Sequence, residues 1–345
     1  MTASDMSTIR SPSFRFVVSV ALLTLLSPVV AVFLGVADIP PADVIAVFGG
    51  HGSAQATSII WDIRLPRIVT GMLAGVHLAT AGMLLQNITR NPLADPSIMG
   101  VSQGATLAAG LFLLFSVYIH HSGSTDLPDL PLEWLPTVAT LGGLAAGGII
   151  YMLAFRLELG PLRITLCGIA VGAVMQALAI GLIAGWGSSR LEVLLDWLAG
   201  SLYARTWEHA LFLLPYTALG LVVLPIIRRP LDLLRFDSQV ARSFGLSYRW
   251  QFSCALMVSC VLAASAVGTV GPVVFVGLVV PHIARFTAGR RAGLVLPLTI
   301  AFGAVFMTLG DLIGRLVGQA EEIPIGVIAA LVGVPILIML IRKTP

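Results

Sequence analysis

Runs of about twenty apolar residues recur from one end of this 345-residue chain to the other, and nothing else in it constrains the fold as strongly. About twenty helical residues cross the hydrocarbon of a bilayer. On that length, helices are expected near residues 16–36, 66–86, 96–118, 135–155, 164–186, 208–227, 251–269, 272–287, 293–313 and 324–341. The chain is 57% hydrophobic and only 11% charged, more apolar surface than a soluble core can enclose, so part of it must face lipid. Its 35 glycines and 20 prolines would be loop-forming excess in a soluble protein, whereas membrane helices tolerate both and use small residues for close packing. The expected fold is all-α: one transmembrane domain, residues 1–345, with about ten spanning helices.

An even number of spans puts both termini on one side, and arginine and lysine accumulate in cytoplasmic segments. With the termini inside, the inner segments hold Arg10, Arg15, Arg90, Arg156, Arg163, Arg228, Arg229, Arg235, Arg242, Arg249, Arg285, Arg290, Arg291, Arg342 and Lys343. That is about three quarters of the basic residues, and the outer segments take most of the acids, including Asp126, Asp129, Glu133, Glu321 and Glu322. Residues 1–15 then form a cytoplasmic tail, and residues 228–250 the longest cytoplasmic loop. The run from Phe16 to Val36 is too long for a signal-peptide core and no small-x-small cleavage site follows it, so a retained first helix is expected.

Arg64, Arg67, Arg190, Arg205 and Arg315 break the sorting by falling on the outer side. Local pairing is one account, since Asp62, Glu192, Glu208 and Asp311 lie within about a turn of four of them. For Arg64, Arg67 and Arg315 the sharper expectation is an outward docking patch for an acidic partner, because arginine offers carboxylates a rigid fork of donors.

Several chemistries are excluded. The only lysine is Lys343, so no phosphate-cradling Gly-Lys loop exists and the chain has no such ATPase site of its own. Ionisable side chains cluster at span ends rather than mid-membrane, which disfavours proton coupling; His77, without a carboxylate in its span, is expected to be a hydrogen-bonded packing residue. His120 and His121 lie in a polar outer loop, and neither HExxH nor Gly-x-Ser-x-Gly occurs. Cys167, Cys254 and Cys260 sit in apolar runs as small hydrophobes. No catalytic residue, resident metal, cofactor or nucleic-acid partner is expected. A transporter with neither motor nor ion relay must be driven by something bound to it.

The inner loop supplies a place for that motor. Asp237 to Gly245 reads as a short helix capped by Asp237 or Ser238 and ended by Gly245. Val240, Ala241 and Phe244 would form its apolar edge, Arg242 would project, and Ser243 closes the last turn. The alternative is a basic anchor lying on lipid headgroups. Elsewhere, Asn91-Pro92 would end the second helix, Asp95 could cap the third, and Pro281-His282 reads as a helix-end contact rather than a metal site.

Motifs along nearly the whole chain resemble the FecCD-like permeases of type II ABC importers, which carry ferric siderophores, haem and cobalamin. They are Arg64-Leu65-Pro66-Arg67, Gly82 to Asn87, Asn91-Pro92-Leu93-Ala94-Asp95-Pro96, Gly100-Val101-Ser102 and Trp197 to Leu202. Further ones are Gly271-Pro272 through Phe275 to Leu278, Pro281-His282-Ile283-Ala284-Arg285, Asp311 with Arg315, and Glu322 to Gly326. The resemblance implies a multi-pass permease in a bacterial inner membrane, paired with itself or a sister permease. Two cytoplasmic ATPase subunits, which hold the ATP and Mg, and one periplasmic binding protein complete the implied assembly. It implies that Arg64, Arg67 and Arg315 meet glutamates of the binding protein, that residues 237–245 seat in an ATPase groove, and that the fifth and tenth spans line the path. The Trp197 to Leu202 segment is most similar to siderophore versions.

Overall fold

A computed structural model describes residues 14–97, 99–120, 132–156, 160–184, 197–236, 238–289, 291–318 and 322–343. Among the described residues every regular element is helical. In chain order these are α1 (Phe14–Phe33), α2 (Pro41–Phe48), α3 (Ala54–Ser58) with a π-helical turn Ile59–Arg64, α4 (Leu65–Thr89), α5 (Val101–His120), α6 (Leu135–Arg156) and α7 (Pro161–Ala184). Then follow α8 (Trp207–Leu234), α9 (Ser238–Ser243), α10 (Tyr248–Val270), α11 (Val276–Ala288), α12 (Val295–Gly318) and α13 (Ile325–Lys343). The ten expected spans all correspond to helices, and the chain is a multi-pass membrane protein.

Helix α4 is the axis of the bundle and is buried along almost its whole length. Pro66 follows the π-helical turn without a break, so its missing N–H removes a backbone bond to that turn, whose Trp61 carbonyl accepts from Trp207 Nε1 at 2.8 Å. The helix stops at Thr89 because Arg90 turns left-handed (φ 53°), the Asn91 carboxamide accepts the Leu93 N–H, and Pro92 cannot continue a helix. Glycines let neighbours reach its backbone: Gly75 packs on Gly303 of α12, and Gly82 on the Gly277 carbonyl of α11, each without room for a methyl group. Close backbone approach of this kind drives helix association where lipid supplies no hydrophobic force. His77, 1% exposed, joins three helices, its Nδ1 lying 3.0 Å from Ser265 Oγ of α10 and its Nε2 2.8 Å from Thr217 Oγ1 of α8.

Helices α7, α8 and α13 turn apolar side chains outward, among them Val174, Ile226 and Leu331, as a chain in lipid must. Two stretches of non-helical backbone nevertheless lie deep in the bundle. In residues 90–100, Gly100 sits against Gly168 and Gly172, two to three turns inside α7. In residues 271–275, Gly271 packs under the Trp197 carbonyl and Gly200. Irregular backbone is tolerated at membrane depth only where protein buries it, and both stretches meet that condition.

Three expectations about elements are corrected. The eighth span is not a helix over 272–287: residues 272–275 are irregular, Phe275 being left-handed (φ 70°), and α11 has 13 residues, about 20 Å of helix against about 30 Å of hydrocarbon. The cytoplasmic loop is shorter than 228–250, because α8 continues to Leu234 through Pro225 and Pro230, and α10 begins at Tyr248. Helix α5 begins at Val101, so Asp95 is too far upstream to cap it. Arg10, Asp126, Asp129, His121, Arg190, Glu192, Asp237, Arg290 and Glu321 lie outside the described residues.

Candidate functional surfaces at the two ends of the bundle

At the end assigned as outer, Arg67 of α4 reaches across to α12 and to the segment before α13. Its Nη2 lies 2.7 Å from Asp311 Oδ1 and its Nη1 2.8 Å from Glu322 Oε2, so one guanidinium ties three parts of the chain together. Arg315, one turn beyond Asp311 on α12, forms an ion pair with it, Nε lying 3.0 Å from Asp311 Oδ2, and its buried Nη2 has no acceptor among the described residues. Arg205 adds a third cation, held by the Ser201 carbonyl and His209. Burial, with Arg67 close by, pulls its guanidinium down to about 10. Among the described residues Arg67 and Arg315 share Asp311, Arg67 also takes Glu322, and Arg205 brings a further charge without a carboxylate of its own.

The expectation that Arg64, Arg67 and Arg315 stand exposed as a patch is corrected by their burial: they are 3, 8 and 5% exposed. Arg64 is not part of the ion-pair cluster. Its guanidinium donates to the carbonyls of Val32, Phe33 and Ala37, closing the C-terminus of α1, where cations and spare donors are favoured. Asp62, the neighbour named for local pairing, accepts from Ser58 instead. Asp311 does pair locally with Arg315, as that reading anticipated.

At the end expected to be inner, Gly82, Gln86, Asp95 and Pro96 of the motif segments meet α11. Pro281 has no N–H, which frees the Gly277 carbonyl four residues earlier. The Gln86 amide nitrogen takes it up at 3.1 Å, with the carbonyls of Leu278 and Ala94 both at 3.3 Å. Arg285 Nη1, one turn below Pro281, donates to Gln86 Oε1 at 2.5 Å and fixes which way that carboxamide points. Asp95 folds its own loop: Oδ1 accepts from the backbone N–H and hydroxyl of Ser97, while Oδ2 is buried beside Gly277. Pro96 packs on Gly277 as well, and Gly100 (φ 83°) makes the left-handed turn into α5. At the opposite end of the bundle, Gly271 (φ 77°) makes the turn out of α10, and Pro272 then faces Gly200. His282 is not a helix-end residue: it lies inside α11 with its Nδ1 2.8 Å from the Leu278 carbonyl.

Also at the inner end, Ser238–Ser243 forms the short helix α9, stopped at Gly245 (φ 80°). The Gly245 N–H returns to the Arg242 carbonyl at 2.9 Å and the Leu246 N–H to that of Ala241 at 3.2 Å. Ala241 is its buried foot, whereas Val240 (44%), Phe244 (69%) and Arg242 are exposed. Ala241 therefore does not belong to an outward apolar edge with the other two. Among the described residues no group of three or more His, Cys, Asp or Glu side chains is placed to hold a metal.

The model of the FecCD transport family matches residues 22–343. The chain belongs to the FecCD transport family. Its relatives include the iron(3+)-hydroxamate import system permease protein FhuG of Bacillus subtilis, 31% identical over 90% of this chain and 91% of that one. Another is the Fe(3+) dicitrate transport system permease protein FecD of Escherichia coli, 32% identical over 83% of this chain and 85% of that one. Among solved structures it is similar to one presented as a metal-chelate type ABC transporter in an inward-facing conformation. That match has a TM-score of 0.79 and 28% identity and covers 95% of this chain and 99% of that one. The fold is thus that of a FecCD permease, a transport subunit.

Within this FecCD chain, sequence reasoning quoted Gln86, Arg285 and Glu322 in motifs without giving them roles. Pairs such as Arg67 with Asp311, 244 residues apart, leave no trace in periodicity. One signal was available: Pro281 inside a helix announces an orphaned carbonyl, and a conspicuous glutamine elsewhere is a candidate to satisfy it.

Proposed function

We propose that the chain is the membrane-spanning subunit of an ATP-driven importer in a bacterial inner membrane. In this reading it passes an iron chelate, a ferric siderophore first, from an external binding protein to the cytoplasm. The observation that carries the reading is the match to the ferric hydroxamate and ferric dicitrate permeases along most of both chains. A second permease copy, two ATPase subunits and the binding protein complete the assembly.

The geometry suggests how the two ends would work. Outside, Glu322, 21% exposed at its side chain, marks the side from which the arginine cluster is reached. A carboxylate of the docked binding protein would take up the spare donors of Arg315, so Arg67 and Arg315 act in docking through a shared network, while Arg64 supports it by holding α1. Inside, Val240, Arg242 and Phe244 of the α9 segment, with Ser238, Ser243 and Gly245 shaping it, would enter the ATPase groove. Ala241 would pass the movement to α8 and α10. Closure of the ATPase pair on ATP would then be felt by the helices beside the path, α7 and α13.

The test is uptake of a radiolabelled ferric hydroxamate into proteoliposomes holding the permease, with and without ATPase subunits and binding protein. Uptake is expected only when all are present with ATP. Uptake by the permease alone, or uptake that survives a dead ATPase and collapses with an uncoupler, would overturn the reading.

A further inference from the structure

Helix α4 ends in a conformation that its last residue does not favour. Arg90 turns left-handed at φ 53° and ψ 26°, where a Cβ is crowded and glycine, which has none, is the usual residue. What the position gains from arginine is therefore in the side chain. That side chain, half-buried, reaches both ends of the α9 loop. Its Nε donates to the Leu234 carbonyl at 3.3 Å, at the last residue of α8, and its Nη2 donates to the Tyr248 hydroxyl at 3.0 Å, at the first residue of α10. The charge also stands 5.9 Å from the centre of the Tyr248 ring. A cation suits the carbonyls that a helix C-terminus leaves open, and a planar fork holds two partners in fixed directions. The chain departs for α9 at one of these groups and returns at the other.

On its other side Arg90 opens the irregular segment 90–100. Asp95 and Pro96 of that segment press on Gly277 of α11, and Gly100 sits against Gly168 and Gly172 of α7. One residue thus touches both roots of α9 and begins the stretch of backbone that bears on two other helices. We infer that Arg90 is the positioning residue through which movement of α9 enters the bundle, clasping the ends of α8 and α10 and passing their displacement along 90–100 to α7 and α11. The role rests on the reading of α9 as the ATPase contact. With the guanidinium in place, a push on α9 carries the segment 90–100 with it; without it, the push is taken up between α8 and α10 and does not reach α7.

The test is uptake per ATP hydrolysed, measured with a radiolabelled ferric hydroxamate in proteoliposomes holding the permease, the ATPase subunits and the external binding protein. Arg90→Gly is the informative variant, because glycine keeps the left-handed turn and removes only the side chain. ATP hydrolysis should continue while uptake per ATP falls about tenfold, the lower end of what a hydrogen bond to a charged group is worth. Tyr248→Phe, which removes one hydroxyl, should lower the ratio about threefold, and the double variant should be no worse than Arg90→Gly, since both act through one contact. An undiminished ratio in Arg90→Gly, with Phe244→Ala impaired in the same assay, would overturn the role of Arg90 alone. An undiminished ratio in both would overturn the role of α9 and that of Arg90 with it. Losses that multiply in the double variant would also overturn the inference. So would an Arg90→Gly permease that fails to assemble beside a fully coupled Tyr248→Phe one, which would leave Arg90 a helix stop and nothing more.

Discussion

The two ends of α4 are tied to the rest of the bundle by different chemistry. Near its start, full charges do the tying: Arg67 spans to Asp311 and Glu322, and Arg315 is left with a donor to spare. Near its finish, neutral amides and carbonyls meet at glycine contacts, and Gln86 satisfies the carbonyl that Pro281 abandons. A buried charge network is worth little over an apolar replacement but costs a great deal to break. The outer end is therefore a joint whose integrity depends on every partner, whereas the inner end rests on shape and on completed backbone hydrogen bonds.

Breaking the inner joint by volume should have the largest effect. Gly82→Leu would drive a side chain into the Gly277 backbone, which cannot yield as a side chain does. The expected outcome exceeds the about 1–3 kcal/mol usual for overpacking, with no monodisperse peak in detergent size-exclusion chromatography. Next comes the outer joint: Arg67→Ala takes from Glu322 its partner and leaves Asp311 with Arg315 alone, and should cost about 3–5 kcal/mol, read as a lowered thermal transition in detergent. Gln86→Leu should cost less, about 1–3 kcal/mol in the same measurement, because it orphans a dipole rather than a charge. If Gln86→Leu proved as damaging as Arg67→Ala, the contrast between the ends would fail. The smallest effect on stability belongs to Phe244→Ala, within about 0.5 kcal/mol because the ring is exposed, while ATP-driven uptake in proteoliposomes should fall severalfold. Unchanged uptake would remove α9 from the coupling path.

Hydropathy made the spans legible because lipid imposes one length on every helix. It failed at residues 271–275, where Val273, Val274 and Phe275 are as apolar as a helix yet not helical, since apolar composition reports burial and not backbone shape. Reading Pro230 as a loop residue failed for a related reason: neighbouring helices let α8 carry Pro215, Pro225 and Pro230 to Leu234. Charge sorting assigned Arg67 and Arg315 to one end together, and the structure does bring them together, but it could not distinguish an exposed residue from one buried just beneath a surface. The short helix α9 was legible from its glycine stop, because Gly245 and the residues before it act locally.

The burial of α4 has a consequence for how this protein is made. Translation delivers α4 to the membrane long before α8, α10, α11 and α12 exist, yet those are the helices that later cover Thr70, His77 and Gln86. Until they arrive, its polar side chains must be sheltered by the insertion machinery or by pairing with α1, which makes the newborn second span the most vulnerable piece of the chain. Nascent chains cut short after α7 should accordingly be cleared by membrane proteases much faster than chains that reach α12.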